Sequence, residues 1–265
     1  MKHRFPEVVA EVSILDMLLD DSGADSTRAA KLMHKWGADC IITLGGDGTV
    51  RVASKGAGEV PLLPISTGTN NVIPEFIEGT IAGLAAGHFS ITPDEKRKAL
   101  LGRQKKLDVL VNGKVVDTAL VDIAVIADQH VGSRAVWEPD RLLQVAVTRA
   151  APTNIGFTSI IGKYKTIESD SPFGAMVIIK EKGKCYQVQA AIGPGLIYDV
   201  CIDGYQKLQP GKPILVVPHR PAVLALDGER EIVLSEKDSA EVLLSLEGPN
   251  FINIKRVLEN TQTAS

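Results

Sequence analysis

The sequence predicts an α/β protein in which an N-terminal parallel α/β domain precedes a C-terminal domain rich in antiparallel β structure. Helix and strand patterns alternate over residues 25–87, as they do where helices join parallel strands. After Leu107, strand patterns separated by turn residues predict hairpins instead. The chain has 265 residues, 45% hydrophobic and 23% charged, which is enough to bury a sizeable core.

The N-terminal part begins with a predicted helix that Asp25 and Ser26 cap. Its apolar face is formed by Ala29, Leu32, Met33 and Trp36. Two apolar runs, at 40–44 and 61–65, predict buried strands. A short helix is expected near Val52 after the first strand, and a longer helix over 72–86 after the second.

The C-terminal part opens with a hairpin in which Asn112 and Gly113 form the turn between two strands. Residues 175–179 and 186–192 predict a second hairpin, joined through 181–184. The remaining patterns are apolar or alternating runs at 214–217, 223–226, 232–234 and 242–246, and a helix or irregular crossover over 152–164. Together these patterns favour a β-sandwich. We place the α/β domain at 1–104, with residues 88–106 as the link, and the β-rich domain at 105–247.

The first predicted strand runs into Gly45-Gly46-Asp47-Gly48-Thr49. Glycines let the backbone approach a ligand closely and point N–H groups at it, as phosphates require. Asp47 places a carboxylate in the middle of this turn, where it can take a proton from an attacking hydroxyl or contact Mg²⁺. The alternative is an ordinary glycine-rich turn in which Asp47 caps a helix.

The second strand runs into Ser66-Thr67-Gly68-Thr69-Asn70-Asn71. Because neighbouring parallel strands end at the same edge of a sheet, this turn can form the second wall of a nucleotide site. The alternative is that Thr69 or Asn70 caps the following helix, which is compatible with phosphate binding at that helix terminus.

Two further acids are candidates. Asp122 lies inside the apolar run 118–126, where a buried carboxylate needs a partner, a metal or a ligand. Asp227 lies in Leu226-Asp-Gly-Glu-Arg230, which a hairpin turn alone would explain.

Composition excludes several classes of protein. A net charge of -3 gives no reason to expect a nucleic-acid or membrane partner, and the basic cluster over 96–106 is interpreted as a solvated linker face. Three cysteines without Cys-x-x-Cys spacing argue against a disulfide framework and a structural zinc site, and the five histidines show no metal-ligand spacing. P-loop and Gly-x-Gly-x-x-Gly motifs are absent. Without a signal pattern or a membrane-spanning run, a cytoplasmic location is expected.

The two turns carry a family resemblance. Residues 45–49 match the GGDGT signature of the ATP-NAD kinase superfamily, which includes diacylglycerol and sphingosine kinases. The stretches 44–51 and 61–71 most resemble the acetoin catabolism protein X family within it. Further similar stretches are Thr118-Ala-Leu-Val-Asp122, Gly132-Ser-Arg-Ala-Val-Trp137, Gly193-Pro-Gly-Leu196 and Ala225-Leu-Asp-Gly-Glu-Arg-Glu231.

The resemblance implies an NAD kinase-like fold, with the tail 248–265 returning to the first domain, and a homo-oligomer. It also implies a kinase that uses ATP with Mg²⁺, with NAD as acceptor or ligand, and Asp47 as general base. The residues that it implies for nucleotide binding are Gly45, Gly46, Gly48, Thr49, Thr67, Gly68, Thr69, Asn70, Asn71, Asp122 and Asp227.

Two departures from the family pattern support a rival interpretation. Where ATP-NAD kinases have an Asn-Glu pair, this chain has Val121-Asp122, and no glycine-containing loop is recognised after a first strand in Met1–Pro6. The rival is a nucleotide-binding accessory or regulatory protein without turnover. A lipid kinase, suggested by Gly68-Thr69-Asn70, ranks last because no exposed apolar patch is visible in the sequence.

Overall fold

The computed structural model describes residues 11–127, 141–180, 183–216 and 221–260. Several sequence predictions fall wholly or partly outside these ranges, among them the N-terminal segment 1–6, the family resemblance at 132–137, the turn at 181–184, the last residue of the run 214–217 and the end of the tail 248–265. Within the described ranges, no helix is both long and apolar enough to cross a bilayer.

The elements of the N-terminal part are α1 (Gly23–Lys35), β1 (Ile41–Gly45), α2 (Asp47–Ala57), β2 (Leu62–Ser66), α3 (Gly79–Ile91), α4 (Asp94–Arg97), a 3₁₀ turn (Lys98–Leu100) and β3 (Leu101–Arg103). Those that follow are β4 (Lys106–Val111), β5 (Lys114–Ala119), β6 (Asp122–Ile126), β7 (Leu142–Val147), α5 (Thr158–Tyr164), β8 (Gly174–Lys180), β9 (Tyr186–Gly193), β10 (Leu196–Leu208), β11 (Ile214–Val216), β12 (Ala222–Leu226), β13 (Glu229–Leu234), β14 (Ala240–Ser245), β15 (Asn250–Ile252) and α6 (Ile254–Asn260).

The first sheet has the order β1-β2-β15-β3. β1 pairs with β2 in parallel, β15 pairs with β2 in parallel, and β3 runs antiparallel at the edge. The tail of the chain therefore supplies a central strand of the N-terminal sheet. The segment 88–106, interpreted from sequence as a link, also contributes the edge strand.

Two N-terminal helices start at residues other than those predicted. The cap of α1 is Ser22, whose hydroxyl accepts from Ala24 N–H, rather than Asp25 or Ser26. The helix predicted over 72–86 begins only at Gly79, where Glu78 caps it. Pro74 disfavours a helix through the residue before it, and Glu75 instead forms a parallel bridge with Ile65 of β2, so the chain is extended there. The turn 66–71 is therefore not a helix N-terminus, so the predicted capping by Thr69 or Asn70 is wrong.

The second part of the chain is a sandwich of two antiparallel sheets. One has the order β13-β12-β6-β7-β8-β10-β9 and the other β11-β14-β4-β5. Their facing side chains form one apolar core, to which Leu107, Val242 and Leu224 contribute. The predicted turn between β4 and β5 is confirmed, since Asn112 and Gly113 both have the positive φ angles that such a turn requires.

The second predicted hairpin is wrong, because β8 and β9 do not pair with each other. The 13-residue β10 lies between them and pairs antiparallel with both. The same pairing joins Cys185 to Cys201 in a disulfide with a Cα–Cα distance of 5.6 Å. The number and spacing of the cysteines had argued against disulfides. Neither property indicates that a hairpin brings two of the cysteines together.

One residue of the basic cluster, Lys105, differs from the prediction of a solvated face. Lys105 is buried, and its ammonium donates to the carbonyl oxygens of Glu168, Ser171 and Phe173 at 2.9–3.0 Å. Burial lowers its pKa to about 8. The hydrogen bonds of Lys105 therefore connect the start of the β-rich part to the loop before β8.

Arg51 of α2 connects the α/β part to the sandwich. Its side chain is fully buried and forms ion pairs with Asp117 at 3.3 Å, Asp227 at 3.7 Å and Glu229 at 3.2 Å. The three acids belong to β5 and to the β12–β13 hairpin. A buried charge of this kind fixes the relative position of the elements that it joins, because separating them would leave it unpaired.

We expect Arg51→Met to lower the free energy of unfolding by about 3–5 kcal/mol, the usual cost of removing one partner of a buried ion pair. Urea unfolding at pH 7 measures it. Arg103→Met is the matched control, because Arg103 pairs with the exposed Glu59 and Glu247 and should cost less than about 1 kcal/mol. Equal effects of the two substitutions would contradict the role given to Arg51.

Candidate functional site

Asp47 is the first residue of α2, at the point where β1 ends. Its carboxylate is 8% exposed and accepts hydrogen bonds from Val72 N–H at 2.9 Å and Ile73 N–H at 2.8 Å. Burial raises the pKa of Asp47, although these two hydrogen bonds and the charge of Arg149 oppose the shift. Asp47 therefore holds a fixed orientation and titrates closer to neutrality than an exposed carboxylate.

The glycines around Asp47 make room for side chains of the protein itself. A Cβ on Gly45 would collide with the Thr49 side chain, and one on Gly46 would lie 2.6 Å from Asn71 Oδ1. A Cβ on Gly48 would lie 2.8 Å from Glu229 Oε1. Neighbouring side chains therefore occupy the space beside these glycines where a ligand was expected. Phosphate binding to the glycine N–H groups stays a prediction.

The second turn is held by its own hydrogen bonds. Asn71 Nδ2 donates to Ser66 Oγ at 2.8 Å, and Ser66 Oγ donates to the Gly68 carbonyl oxygen at 2.7 Å. Residues 67–70 are exposed. Asn71 thus connects this turn to Gly46, and the exposed residues stay available for a ligand.

Asp227 lies at the β12–β13 turn with a left-handed φ of 49°. Its carboxylate accepts from the N–H groups of three consecutive residues, 120–122, at 2.8–3.1 Å. Burial nevertheless raises the pKa of Asp227 to about 7. The hairpin turn predicted from the sequence is present, and the carboxylate has a structural role in positioning the start of β6.

Asp122, the first residue of β6, is also buried, and its Oδ1 has no hydrogen-bond partner among the residues that the structure describes. Burial raises its pKa well above the ordinary value, and the charges of Asp227 and Asp47 add to the shift. A buried carboxylate oxygen without a partner is costly and needs a proton, a cation or a donor from a ligand. Asp122 is the acid with capacity left for a ligand.

A cavity of about 130 Å³ brings four of the predicted residues together: Asp47, Asn70, Asp122 and Asp227. The other predicted residues are not on its lining: Gly45, Gly46, Gly48, Thr49, Thr67, Gly68, Thr69 and Asn71. Sequence reasoning missed the rest of the lining, which is Val72, Ile155, Gly156, Phe157, Ile192 and Gly228. The cavity is smaller than the ~300 Å³ usual for a whole small-molecule ligand, so it suits one end of a larger molecule.

Arg149 is the cation that the sequence analysis missed. Burial lowers its pKa, whereas the charges of Asp47 and Asp227 act in the opposite direction. The only local signal is that it follows the buried strand β7 by two residues. Such a position predicts nothing about which carboxylates lie near it, because these come from distant segments.

The chemistry of the cavity fits a magnesium ion that a ligand helps to hold. No group of three or more His, Cys, Asp or Glu side chains that could hold a metal occurs among the residues described. Mg²⁺ in phosphoryl-transfer sites usually takes one or two carboxylates together with substrate phosphates. Asp122, with its unpartnered Oδ1, is the residue that fits this role.

Two family models match the sequence. The acetoin catabolism protein X C-terminal domain matches residues 105–247, and the ATP-NAD kinase N-terminal domain matches residues 2–90. Acetoin catabolism protein X of Cupriavidus necator is 37% identical over 238 residues, which are 88% of this chain. The chain spans 66% of the length of that relative.

Solved structures share the fold at low sequence identity. Yeast NADH kinase complexed with NADH aligns with a TM-score of 0.50 and 15% identity, over 86% of this chain and 67% of that one. A candidate diacylglycerol kinase from Bacillus anthracis str. Sterne aligns with a TM-score of 0.51 and 15% identity, over 89% and 85%. The predicted NAD kinase-like arrangement of an α/β part and a sheet-rich part is confirmed.

We expect Asp122→Asn to stabilise the protein more at pH 8 than at pH 5. The folded protein raises the pKa of Asp122, whereas the unfolded chain has the ordinary value of about 4. Between these values only the folded state holds the proton, so the wild type loses up to about 1.4 kcal/mol per pH unit as pH rises. The asparagine variant lacks this loss.

Urea unfolding of both proteins at pH 5 and pH 8 measures the difference. Asp16→Asn, at an exposed position, is the matched control and should show the same small effect at both pH values. A gain from Asp122→Asn that stays constant with pH would show that Asp122 is not a buried, proton-binding carboxylate.

Proposed function

The chain belongs to the acetoin catabolism protein X family, and from that premise we propose that it is an ATP-dependent phosphotransferase. It transfers the terminal phosphoryl group of ATP to the hydroxyl of a small molecule. The observation that carries this proposal is the cavity lined by two buried carboxylates. Asp47 accepts two backbone hydrogen bonds, whereas the Oδ1 atom of Asp122 has no partner among the described residues.

Asp47 acts as the general base. A base for a hydroxyl group is most effective when its pKa is near the working pH, and burial moves the pKa of Asp47 in that direction. The N–H groups of Val72 and Ile73 hold the carboxylate in one orientation. The proton leaves the acceptor oxygen as that oxygen bonds to phosphorus, and ADP is the leaving group.

Asp122 and Arg149 supply the electrostatics. Asp122 would hold Mg²⁺, which neutralises phosphate charge when it is bound. The positive charge of Arg149 stabilises the ionised form of Asp47 and offsets the charge of the neighbouring acids.

NAD is one acceptor consistent with the ATP-NAD kinase N-terminal domain match. An acceptor smaller than a dinucleotide is equally consistent with the enclosed volume of about 130 Å³, which holds only the reacting end. The hydroxyl group is the chemistry common to both.

A second candidate function is nucleotide or NAD(H) binding without turnover, in an accessory or regulatory protein of acetoin catabolism. One observation favours it: Thr49, Asn71 and Glu229 occupy the space next to the glycines that phosphates would approach. A site of this kind can hold part of a nucleotide and leave its terminal phosphate away from Asp47.

Thermal unfolding with ATP, ADP, NAD, NADH or NADP, each with and without Mg²⁺, separates the two functions. We expect ATP with Mg²⁺ to raise the melting temperature most, because a ligand that binds only the folded state stabilises it by about 2.7 kcal/mol at a hundred times its Kd. Asp47→Asn should keep most of this shift, since the amide preserves the size of the side chain and its oxygen still accepts one of the two backbone hydrogen bonds.

Gly46→Val should abolish the shift, because the added side chain would displace Asn71 and distort both turns. Gly83→Val is the control for a glycine on α3 with open space around it. A shift with NADH but none with ATP and Mg²⁺ would favour the binding protein over the phosphotransferase.

A further inference from the structure

A second cleft lies beside the Asp47 cavity and has a larger volume, about 370 Å³. Its apolar lining comes mainly from β2 and from the β15–α6 segment, with Leu63, Phe251 and Ile254 among the residues. Gln104, Arg149 and Ser169 contribute polar groups from the other side. This volume is within the range of small-molecule sites, which are mostly apolar with a few fixed polar groups.

Among the polar groups on the lining, Arg149 determines which class of ligand the cleft can bind. Its Nη2 donates to Gln104 Oε1 at 2.6 Å, whereas its Nε is buried and has no partner in the described part of the chain. Gln104 is itself fixed, because its Nε2 donates to the Gly102 carbonyl oxygen at 2.8 Å. The guanidinium is therefore held in place with one buried N–H group unsatisfied.

The opposite wall is held in place as well. Ser169 belongs to the loop whose carbonyl oxygens Lys105 binds, including those of Glu168 and Ser171. The other charged residues on the lining, Glu75 and Lys255, are exposed and opposite in sign, and Lys255 pairs with Glu259 at 3.8 Å. Neither supplies an acceptor to the Arg149 Nε.

We propose that this cleft is a binding site for a small organic anion whose carboxylate or phosphate group pairs with Arg149 and whose apolar body lies against the partly exposed Phe251 and Ile254. Gln104 accepts one guanidinium N–H group of Arg149, and an anion in the cleft pairs with the accessible N–H groups of the same guanidinium, since arginine binds both carboxylate and phosphate with paired hydrogen bonds. The apolar body removes the facing side chains from water.

The cleft and the Asp47 cavity are separate but coupled. Ile73 lines the cleft, and its N–H donates to Asp47 Oδ1 on the other side. Arg149 lines the cleft and carries the charge that opposes the upward pKa shift of Asp47. An anion paired with Arg149 weakens that charge at Asp47, so occupancy of the cleft regulates the acid beside it.

Isothermal titration of the full chain at pH 7 with phenyl phosphate, benzoate and neutral benzamide tests the proposal without requiring turnover, so it stands apart from the proposed function. We expect at least one anion to bind and benzamide to bind about tenfold more weakly or not at all. Tighter binding of phenyl phosphate indicates a phosphate-bearing ligand, and tighter binding of benzoate indicates a carboxylic acid.

Arg149→Gln should weaken binding of the anion by about tenfold or more, the usual loss for a charged hydrogen bond. Arg103→Gln removes an arginine that is not on the lining and should leave binding unchanged. Ser169→Phe fills the cleft from an exposed position and should also weaken binding, which keeps the test decisive if Arg149→Gln fails to fold.

Three results would overturn the proposal. The first is that neither anion binds with a Kd below about 10 mM, a free energy of only about 3 kcal/mol. The second is that Arg149→Gln or Ser169→Phe binds the anion as well as the wild type does. The third is displacement of the anion by ADP, which would make the cleft part of the nucleotide site.

Discussion

The buried interaction between Arg51 and Asp227 is the constraint on which the site depends. Arg51 belongs to α2, the helix that begins with Asp47, and Asp227 belongs to the β12–β13 turn. Asp227 in turn receives three N–H groups from residues 120–122 and so fixes the start of β6, where Asp122 lies. One arginine and one aspartate thus bring Asp47 and Asp122 to the same cavity, although 75 residues of chain separate the two acids. If this contact were lost, both parts of the chain could keep their sheets, but the site between them would not form.

The same arrangement buries several carboxylates that are difficult to ionise in the folded state. Burial raises the pKa values of Asp47, Asp122 and Asp227, and the charge of Asp47 adds to the shifts of the other two. Backbone N–H groups and the charges of Arg149 and Arg51 oppose the shifts of Asp47 and Asp227. Clusters of perturbed acids of this kind are typical of functional sites, because a stable core would use apolar residues instead. The energetic cost is thus itself an argument that the cavity binds something that supplies positive charge, protons or hydrogen-bond donors.

Local signals in the sequence predicted the features that depend on neighbouring residues. The strand before Gly45, the Asn112-Gly113 turn and the acids Asp122 and Asp227 all follow from short patterns, and the motif order led to the correct family. Contacts between distant segments were missed: β10 between β8 and β9, the burial of Lys105 and the position of Arg149. The Arg51–Glu229 pair spans 178 residues, and no periodicity or spacing rule reports such a pairing. The late start of α3 was a local signal that was overlooked, since Pro74 is visible in the sequence.

The most direct test of the account is transfer of label from [γ-³²P]ATP, with Mg²⁺, to a pool of small alcohols, sugars and nicotinamide dinucleotides. The account predicts a labelled acceptor with the wild-type protein and at least a ~100-fold lower rate with Asp47→Asn, since general bases typically contribute that much or more. Unchanged transfer by Asp47→Asn, measured while its affinity for ATP is intact, would contradict the role of Asp47. ATP binding without transfer to any member of the pool would instead favour the non-catalytic binding protein.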